Sequence, residues 1–288
     1  MKEARCSELS LAARERLAAT ATHVEQWLVL EVPGSWPRDV AAGSTLPAGA
    51  AAALAAWRVA ASEGAPRRVL FVRRPERSRG SLLAFVVTAG DGHGEVRRIA
   101  LAEHAELDGL DLETAGDAVD ASLVLICGHG SRDACCALHG TAVFAALSTS
   151  LGHEELWISS HQGGHPFAAN VLVLPAGVQL GRVQPVEAPA VVGRALAGEI
   201  DLDRYRGRTV YAPVVQAAEH AIRLAEGLTR IDDLRLIGID GTDGLVHFRG
   251  VDGRERAAVV ESADGPVIPA SCGAPPEPQE ALAARVVR

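Results

Sequence analysis

Between residues 127 and 165 stand four side chains with an affinity for soft or borderline metals: Cys127, Cys136, His161 and His165. The cysteines are nine residues apart and the histidines four apart. Two thiolates and two imidazoles complete either a tetrahedral zinc site or a 2Fe–2S cluster. Zinc knuckles usually pair their cysteines roughly two to four residues apart. A spacing of nine better suits a loop wrapped around a larger object, such as a cluster with bridging sulfides. Within that loop, Gly128 and Gly130 would let backbone N–H groups come close to sulfide, a contact that tunes cluster potential.

The histidines could instead form a helical HxxxH pair, as in metalloproteases. Gly163 and Gly164 weaken a helix there, and Pro166 pushes His165 out of helical geometry. The residue after His161 is Gln162 rather than a glutamate general base, so hydrolytic zinc chemistry is not expected. The neighbours have blander readings. Cys135 reads as a buried cysteine at a helix start, or as half of a strained vicinal pair with Cys136. His129 and His139 read as loop and helix-surface groups, with His129 close enough to support the ligands. Arg132 either pairs with Asp133 or offsets the negative charge of the centre.

The elements that must position these groups can be read from apolar periodicity and breakers. Strand Leu123–Ile126 enters the Cys127 loop, a helix runs from about Cys136 to Leu147, and strand Leu156–Ser159 enters the histidine loop. A hairpin across PAG then joins Val171–Leu174 to Val178–Val183. Upstream, residues 1–22 read as a helix, WLVLEV as a buried strand, and Pro47 opens an alanine-rich helix. Arg67–Arg73, SLLAFVVT and EVRRIAL read as strands, with His93 as a loop histidine in the AGDGHG turn. The stretches LVLEVPGSWPRDV (28–40) and LVLICGHGSRDAC (123–135) match locally. They suggest a degenerate duplication of a β-α-β-β unit, with ligands only in the second copy.

After residue 190 come helices over Val191–Ala197 and Val214–Leu228, separated by a RYRGRTVYAP turn. Short strands at Leu234–Ile239, Leu245–Phe248, Ala257–Val260 and Val267–Ile268 lead to a Pro/Gly-rich tail with Cys272 and a short terminal helix. The expected organisation is an α/β chain. It has a ligand-free N-terminal half (1–110), a metal-bearing unit (111–190) and a small C-terminal α+β region (191–288) in which no chemistry is legible.

Composition bounds the function classes. A net charge of −8 argues against nucleic acid or an anionic membrane as partner, and suits partners with basic patches. No stretch approaches the apolar length of a membrane span, and the charged N-terminus does not resemble a secretory signal. Five cysteines are an odd number, poor for a disulfide framework and better suited to a reducing compartment. The expected location is cytoplasmic. Aromatics are only 4% of the chain, so the core must rest on many small contacts.

Two motifs carry a family resemblance. CGHGSRDACC at 127–136 resembles a C-x-H-G-x-R-D-x-x-C block, and HQGGHPFAANVLVLPAGVQLGRV at 161–183 resembles H-x-G-G-H-x-F-A-x-N…P…GR. With TATHVEQWLVLEVPGSWPRD at 20–39, the chain resembles the sucrase/ferredoxin-like family of thioredoxin-like 2Fe–2S proteins. The resemblance implies a thioredoxin-like ferredoxin fold and a cluster bound by Cys127, Cys136, His161 and His165. Ser159 stands where many bacterial relatives carry cysteine, which removes a competing thiol. Pro166 stands where they carry arginine, which removes a positive charge near the cluster. The word sucrase implies no glycosidase here, since no paired-carboxylate arrangement stands out.

The expected function is one-electron transfer to redox partner proteins. Neutral imidazole donates less charge than thiolate, so the potential should exceed that of an all-cysteine ferredoxin. The imidazoles' second nitrogens would couple reduction to proton uptake. Two alternatives stand beside it: a structural zinc protein with the same ligands, and a thiol oxidoreductase using Cys135 and Cys136, which lacks the C-x-x-C spacing.

Overall fold

A computed structural model of the chain describes residues 4–40, 46–60, 65–74, 80–92, 94–240 and 244–287. His93 lies outside them. The elements in order are α1 (Cys6–Ala12), β1 (Gln26–Glu31), α2 (Ala48–Val59), β2 (Arg67–Arg73), β3 (Leu82–Thr88), β4 (Glu95–Leu101), β5 (Asp117–Ala118) and β6 (Leu123–Cys127). Then come α3 (Ala134–Leu147), β7 (Leu156–Ser159), β8 (Val171–Leu174), β9 (Val178–Leu180), α4 (Ala188–Leu196), β10 (Tyr205–Arg208) and α5 (Pro213–Glu226). Strands β11 (Leu234–Asp240), β12 (Leu245–Gly250), β13 (Glu255–Pro269) and β14 (Pro276–Val287) close the chain.

The result is a mixed α/β architecture. A ten-stranded sheet runs β10-β9-β8-β6-β7-β2-β1-β3-β4-β5, and a separate antiparallel sheet runs β11-β12-β13-β14. The large sheet repeats one pattern on either side of its centre. In the first half β1 is parallel to β2 and antiparallel to β3, which pairs with β4. In the second half β6 is parallel to β7 and antiparallel to β8, which pairs with β9. The halves meet where Val72 pairs with Ser159 and Arg73 with Ile158. Strands before and after residue 110 therefore share one sheet, and β10, from beyond residue 190, extends it. One apolar cluster, including Trp27, Phe85, Leu125, Trp157 and Leu172, draws on both halves.

Strand β6 reads LVLIC and is buried along its whole length, as expected for a strand covered on both faces. Helix α3 starts because Asp133, in extended conformation, caps it by accepting the N–H of Cys135 at 2.8 Å. It packs closely on the end of β6. A Cβ on Gly140 would lie 2.1 Å from the carbonyl oxygen of Cys127.

Three sequence expectations give way. The N-terminal helix ends at Ala12 rather than continuing to residue 22. Arg14 and Ala19 have positive φ, and the backbone beyond them bonds to distant groups: Thr20 N–H to Arg206 O and Ala21 N–H to Gln216 Oε1. The RYRGRTVYAP stretch is not only a turn, because Tyr205–Arg208 forms the edge strand β10 against β9. The expected terminal helix is strand β14, paired with β13 from Ala257↔Val287 to Pro269↔Pro276. Alanine-rich sequence favours helix weakly, and a long partner strand overrides that preference.

Candidate metal centre

The site forms where two parallel neighbours, β6 and β7, end side by side with Cys127 opposite Ser159. Cys127 is the last residue of β6, and Cys136 lies in the first turn of α3, where the helix dipole favours a thiolate. The cysteine loop between them is closed by Asp133 N–H and Arg132 N–H, both donating to His129 O at 3.1 Å. His161 and His165 follow β7 on a loop that ends in a 3-10 turn at His165–Phe167. Gly163 (φ 95°) and Gly164 (φ 72°) take left-handed conformations there. The histidine segment is thus a loop, and not a metalloprotease helix.

The four residues fall into two overlapping groups that share Cys136. Donor atoms of Cys127, Cys136 and His161 lie within 4.8 Å of one another, as do those of Asp133, Cys136 and His165. Cys136 Sγ is 3.6 Å from His165 Nδ1, and the two imidazole rings stack with centroids 3.9 Å apart. Both cysteines are fully buried and His165 nearly so. No disulfide consumes them: all five cysteines are free thiols.

Burial governs the protonation of this set. It disfavours the imidazolium, holding His161 down at about 2 and His165 at about 4, with nearby arginines adding to the effect. The Cys136 thiol donates to Cys127, which pulls Cys127 toward thiolate and pushes Cys136 up. The N–H groups of Gln162 and His129 also point at the Cys127 sulfur, and Arg68 favours its charge.

The amide roles differ from the sequence expectation. Gly128 N–H donates to Ser159 O and Gly130 N–H to Gly128 O, so neither is spare for sulfide. Gly128 serves close packing instead: a Cβ there would meet Ile158 Cγ2 at 2.6 Å.

His129 accepts the N–H of His161 on Nδ1 at 3.2 Å and donates from Nε2 to Pro37 O at 2.9 Å. It therefore fixes one histidine through the other. Asp133 does not pair with Arg132 among the described residues. Its carboxylate takes the backbone N–H groups of Cys135 and Cys272, each at 2.8 Å. Buried Arg132 Nε is left without a partner among the described residues, a donor of the sign a thiolate-rich centre needs. Cys135 faces away from Cys136 in its contacts: its sulfur meets Cys6 and Cys272, while that of Cys136 meets His165.

Sequence reasoning missed the residues that brace the histidine loop. Arg206 is 1% exposed and donates from Nη1 to Gly163 O at 3.1 Å and Asn170 Oδ1 at 2.8 Å. It also donates from Nε to Thr20 Oγ1 at 3.0 Å and from Nη2 to Thr20 O. Burial lowers its guanidinium to about 9, with the site cysteines opposing. Arg68 Nη2 donates to His161 O at 2.7 Å. Gln162 Nε2 ties the loop to Leu125 O at 2.8 Å and to Ser159 Oγ at 2.7 Å. Arg68 and Arg206 carry no local signal, because each reaches the loop from another part of the sheet, whereas Gln162 belongs to the loop and only its long-range partners are hidden. Beside His161 opens a cavity of about 300 Å³ lined by Arg38, Arg58, Arg68, Arg132 and His129.

The donor chemistry fits a metal group that takes thiolate and imidazole ligands: two buried thiols free of disulfides, one buried and one half-buried imidazole, both neutral, with arginines facing them. No helix among the described residues is long and apolar enough to cross a membrane.

The protein called altered inheritance of mitochondria protein 32 from Meyerozyma guilliermondii is 37% identical over 95 residues, covering 30% of this chain and 34% of that protein. Its namesake from Clavispora lusitaniae is 34% identical over 100 residues, covering 32% of this chain and 37% of that protein. The matched segment thus spans about a third of the length of these curated relatives. The sequence profile described as sucrase/ferredoxin-like matches residues 17–207, which hold both cysteines, both histidines and the bracing Arg206. The chain belongs to the sucrase/ferredoxin-like family.

Proposed function

We propose that the protein is a one-electron carrier whose 2Fe–2S cluster is held by Cys127, Cys136, His161 and His165. The observation that carries this reading is the clustering of two buried thiols, the buried His165 and the half-buried His161 where β6, the start of α3 and the loop after β7 meet. Bound there, the cluster would supply one-electron redox chemistry at a potential above that of an all-cysteine ferredoxin. The repeated strand order, with a helix leading from β6 to its parallel neighbour β7, supports a thioredoxin-like ferredoxin unit.

The chain's own residues do the rest. Cys127 and Cys136 bind as thiolates, which the α3 dipole and the N–H groups of His129 and Gln162 favour. His165 presents Nδ1 toward Cys136. Arg68 and Arg206 hold the histidine loop by its carbonyls and offset thiolate charge. The mouth that gathers Arg38, Arg58 and Arg132 around Asp39 is locally basic on a chain of net charge −8, so the contact face is expected to take an acidic patch of a redox partner, in place of the basic patch that net charge alone suggests. Such association would weaken steeply with salt. The free thiols suit a reducing compartment, whether cytoplasm or an organelle such as the mitochondrion for which the fungal relatives are named.

Iron and acid-labile sulfide analysis, with visible and EPR spectra of anaerobically purified protein, tests the proposal. A coloured protein with equal iron and sulfide, EPR-active on reduction, is expected. A colourless protein holding only zinc on these ligands overturns it, as does disulfide-reductase activity of the metal-free protein lost on changing Cys135 or Cys136.

A further inference from the structure

A second group of sulfur ligands lies behind the first, assembled from the two ends of the chain. Cys6 on α1, Cys135 in the first turn of α3 and Cys272 in the β13–β14 connection bring three sulfur atoms together. The separations are 3.5 Å for Cys6–Cys272, 3.6 Å for Cys6–Cys135 and 3.3 Å for Cys135–Cys272. Asp133 completes the set, its carboxylate oxygens 3.7 and 3.9 Å from Cys6 Sγ. All four donor atoms fall within 4.8 Å of one another.

We propose that Cys6, Asp133, Cys135 and Cys272 bind a divalent zinc-class cation as a structural site distinct from the Cys127/Cys136/His161/His165 centre. Zinc–sulfur bonds of about 2.3 Å at tetrahedral angles place sulfurs about 3.8 Å apart, close to the separations found. A disulfide would use two of the three thiols and strand the third, whereas a metal uses all of them. The set suits zinc in particular: soft thiolates, a single carboxylate, and burial of Cys6, Asp133 and Cys135 with only Cys272 partly exposed. Asp133 is held for the role, since backbone N–H groups of Cys135 and Cys272 fix its two oxygens and leave lone pairs free. Helix α3 favours thiolate at Cys135, and Ser7 Oγ donates to that sulfur at 3.2 Å. On binding, the thiols release their protons to solvent and no electrons move. Cys6 and Cys272 lie outside the family's matched residues 17–207, so the site is built on what the chain adds at both ends. It would clamp α1 and the C-terminal hairpin to the helix turn that carries Cys136.

The test counts zinc and iron separately in the full chain, purified without exposure to air. About one zinc per chain is expected. Cys6→Ser or Cys272→Ser should weaken zinc binding by about tenfold or more while leaving iron content and visible spectrum unchanged. Cys127→Ala should do the reverse. Cobalt titrated into metal-free protein should give thiolate-to-cobalt absorption that Cys272→Ser removes. Cys272, which is partly exposed, should resist alkylation until a chelator is added. Wild-type protein that takes up neither zinc nor cobalt at these thiols overturns the proposal whatever the variants do. So does a Cys6–Cys272 disulfide in protein kept from air. Because iron is counted apart, failure of the zinc site and failure of the cluster reading give different results.

Discussion

Arg206 fills the space that a side chain on Gly164 would need: a Cβ there would stand 2.5 Å from Arg206 Nη2. An edge strand far along the chain thus closes over the loop that carries both histidines, and the glycine pair exists as much for that guanidinium as for the turn. With its four hydrogen bonds into Gly163, Asn170 and Thr20, Arg206 joins the histidine loop, the residue that leads into β8 and the N-terminal segment.

Replacing Arg206 with Met should therefore strand several buried acceptors. We expect a loss of about 3 kcal/mol or more in chemical denaturation, together with weaker iron retention. Arg206→Lys should rescue little, since an ammonium cannot span these acceptors in a planar fork.

Gly140→Ala tests the contact between α3 and β6. Its Cβ would meet the Cys127 carbonyl, so a cost of roughly 1–3 kcal/mol or more is expected, with reduced cluster content. Gly193→Ala in α4 is the control. Nothing lies within 4 Å of the added methyl, so the helix should gain about 0.5–1 kcal/mol.

Ligand exchange tests the proposed cluster. Cys127→Ala and Cys136→Ala should lose the colour. His161→Cys and His165→Cys should keep a cluster at a lower potential, because thiolate donates more charge than imidazole. Protein-film voltammetry measures the shift, and an unchanged potential would remove the histidines from the ligand set.

The metal-free chain should lose stability in acid in a window set by the buried imidazoles. Unfolded histidine titrates near about 6.5, whereas burial holds folded His165 at about 4 and His161 at about 2. Below the unfolded value the unfolded chain binds more protons, so stability is complete above it and declines as pH falls toward 4. Urea midpoints between neutral pH and the folded His165 value should fall in the wild type. They should fall less in a His161→Asn, His165→Asn double variant.

The candidate ligand types, their spacing and most of the flanking elements are legible in the sequence, because each of those signals is local. Cys127 at a strand end, Cys136 at a helix start and a non-helical histidine loop follow from apolar runs and from Gly163, Gly164 and Pro166, while Asp133 as the helix cap emerges only in the fold. The matched stretches at 28–40 and 123–135 likewise sit at equivalent places in the two repeating halves of the sheet. The rest depends on contacts between residues far apart in the chain, which no local signal encodes. Arg68 and Arg206 reach the histidine loop across strands whose pairing no local pattern encodes. The alanine-rich C-terminus becomes strand β14 only because β13 is there to receive it. That same hairpin carries Cys272 back across 266 residues to Cys6. Read in sequence, the two are isolated thiols; folded, they stand beside Cys135 and the Asp133 carboxylate.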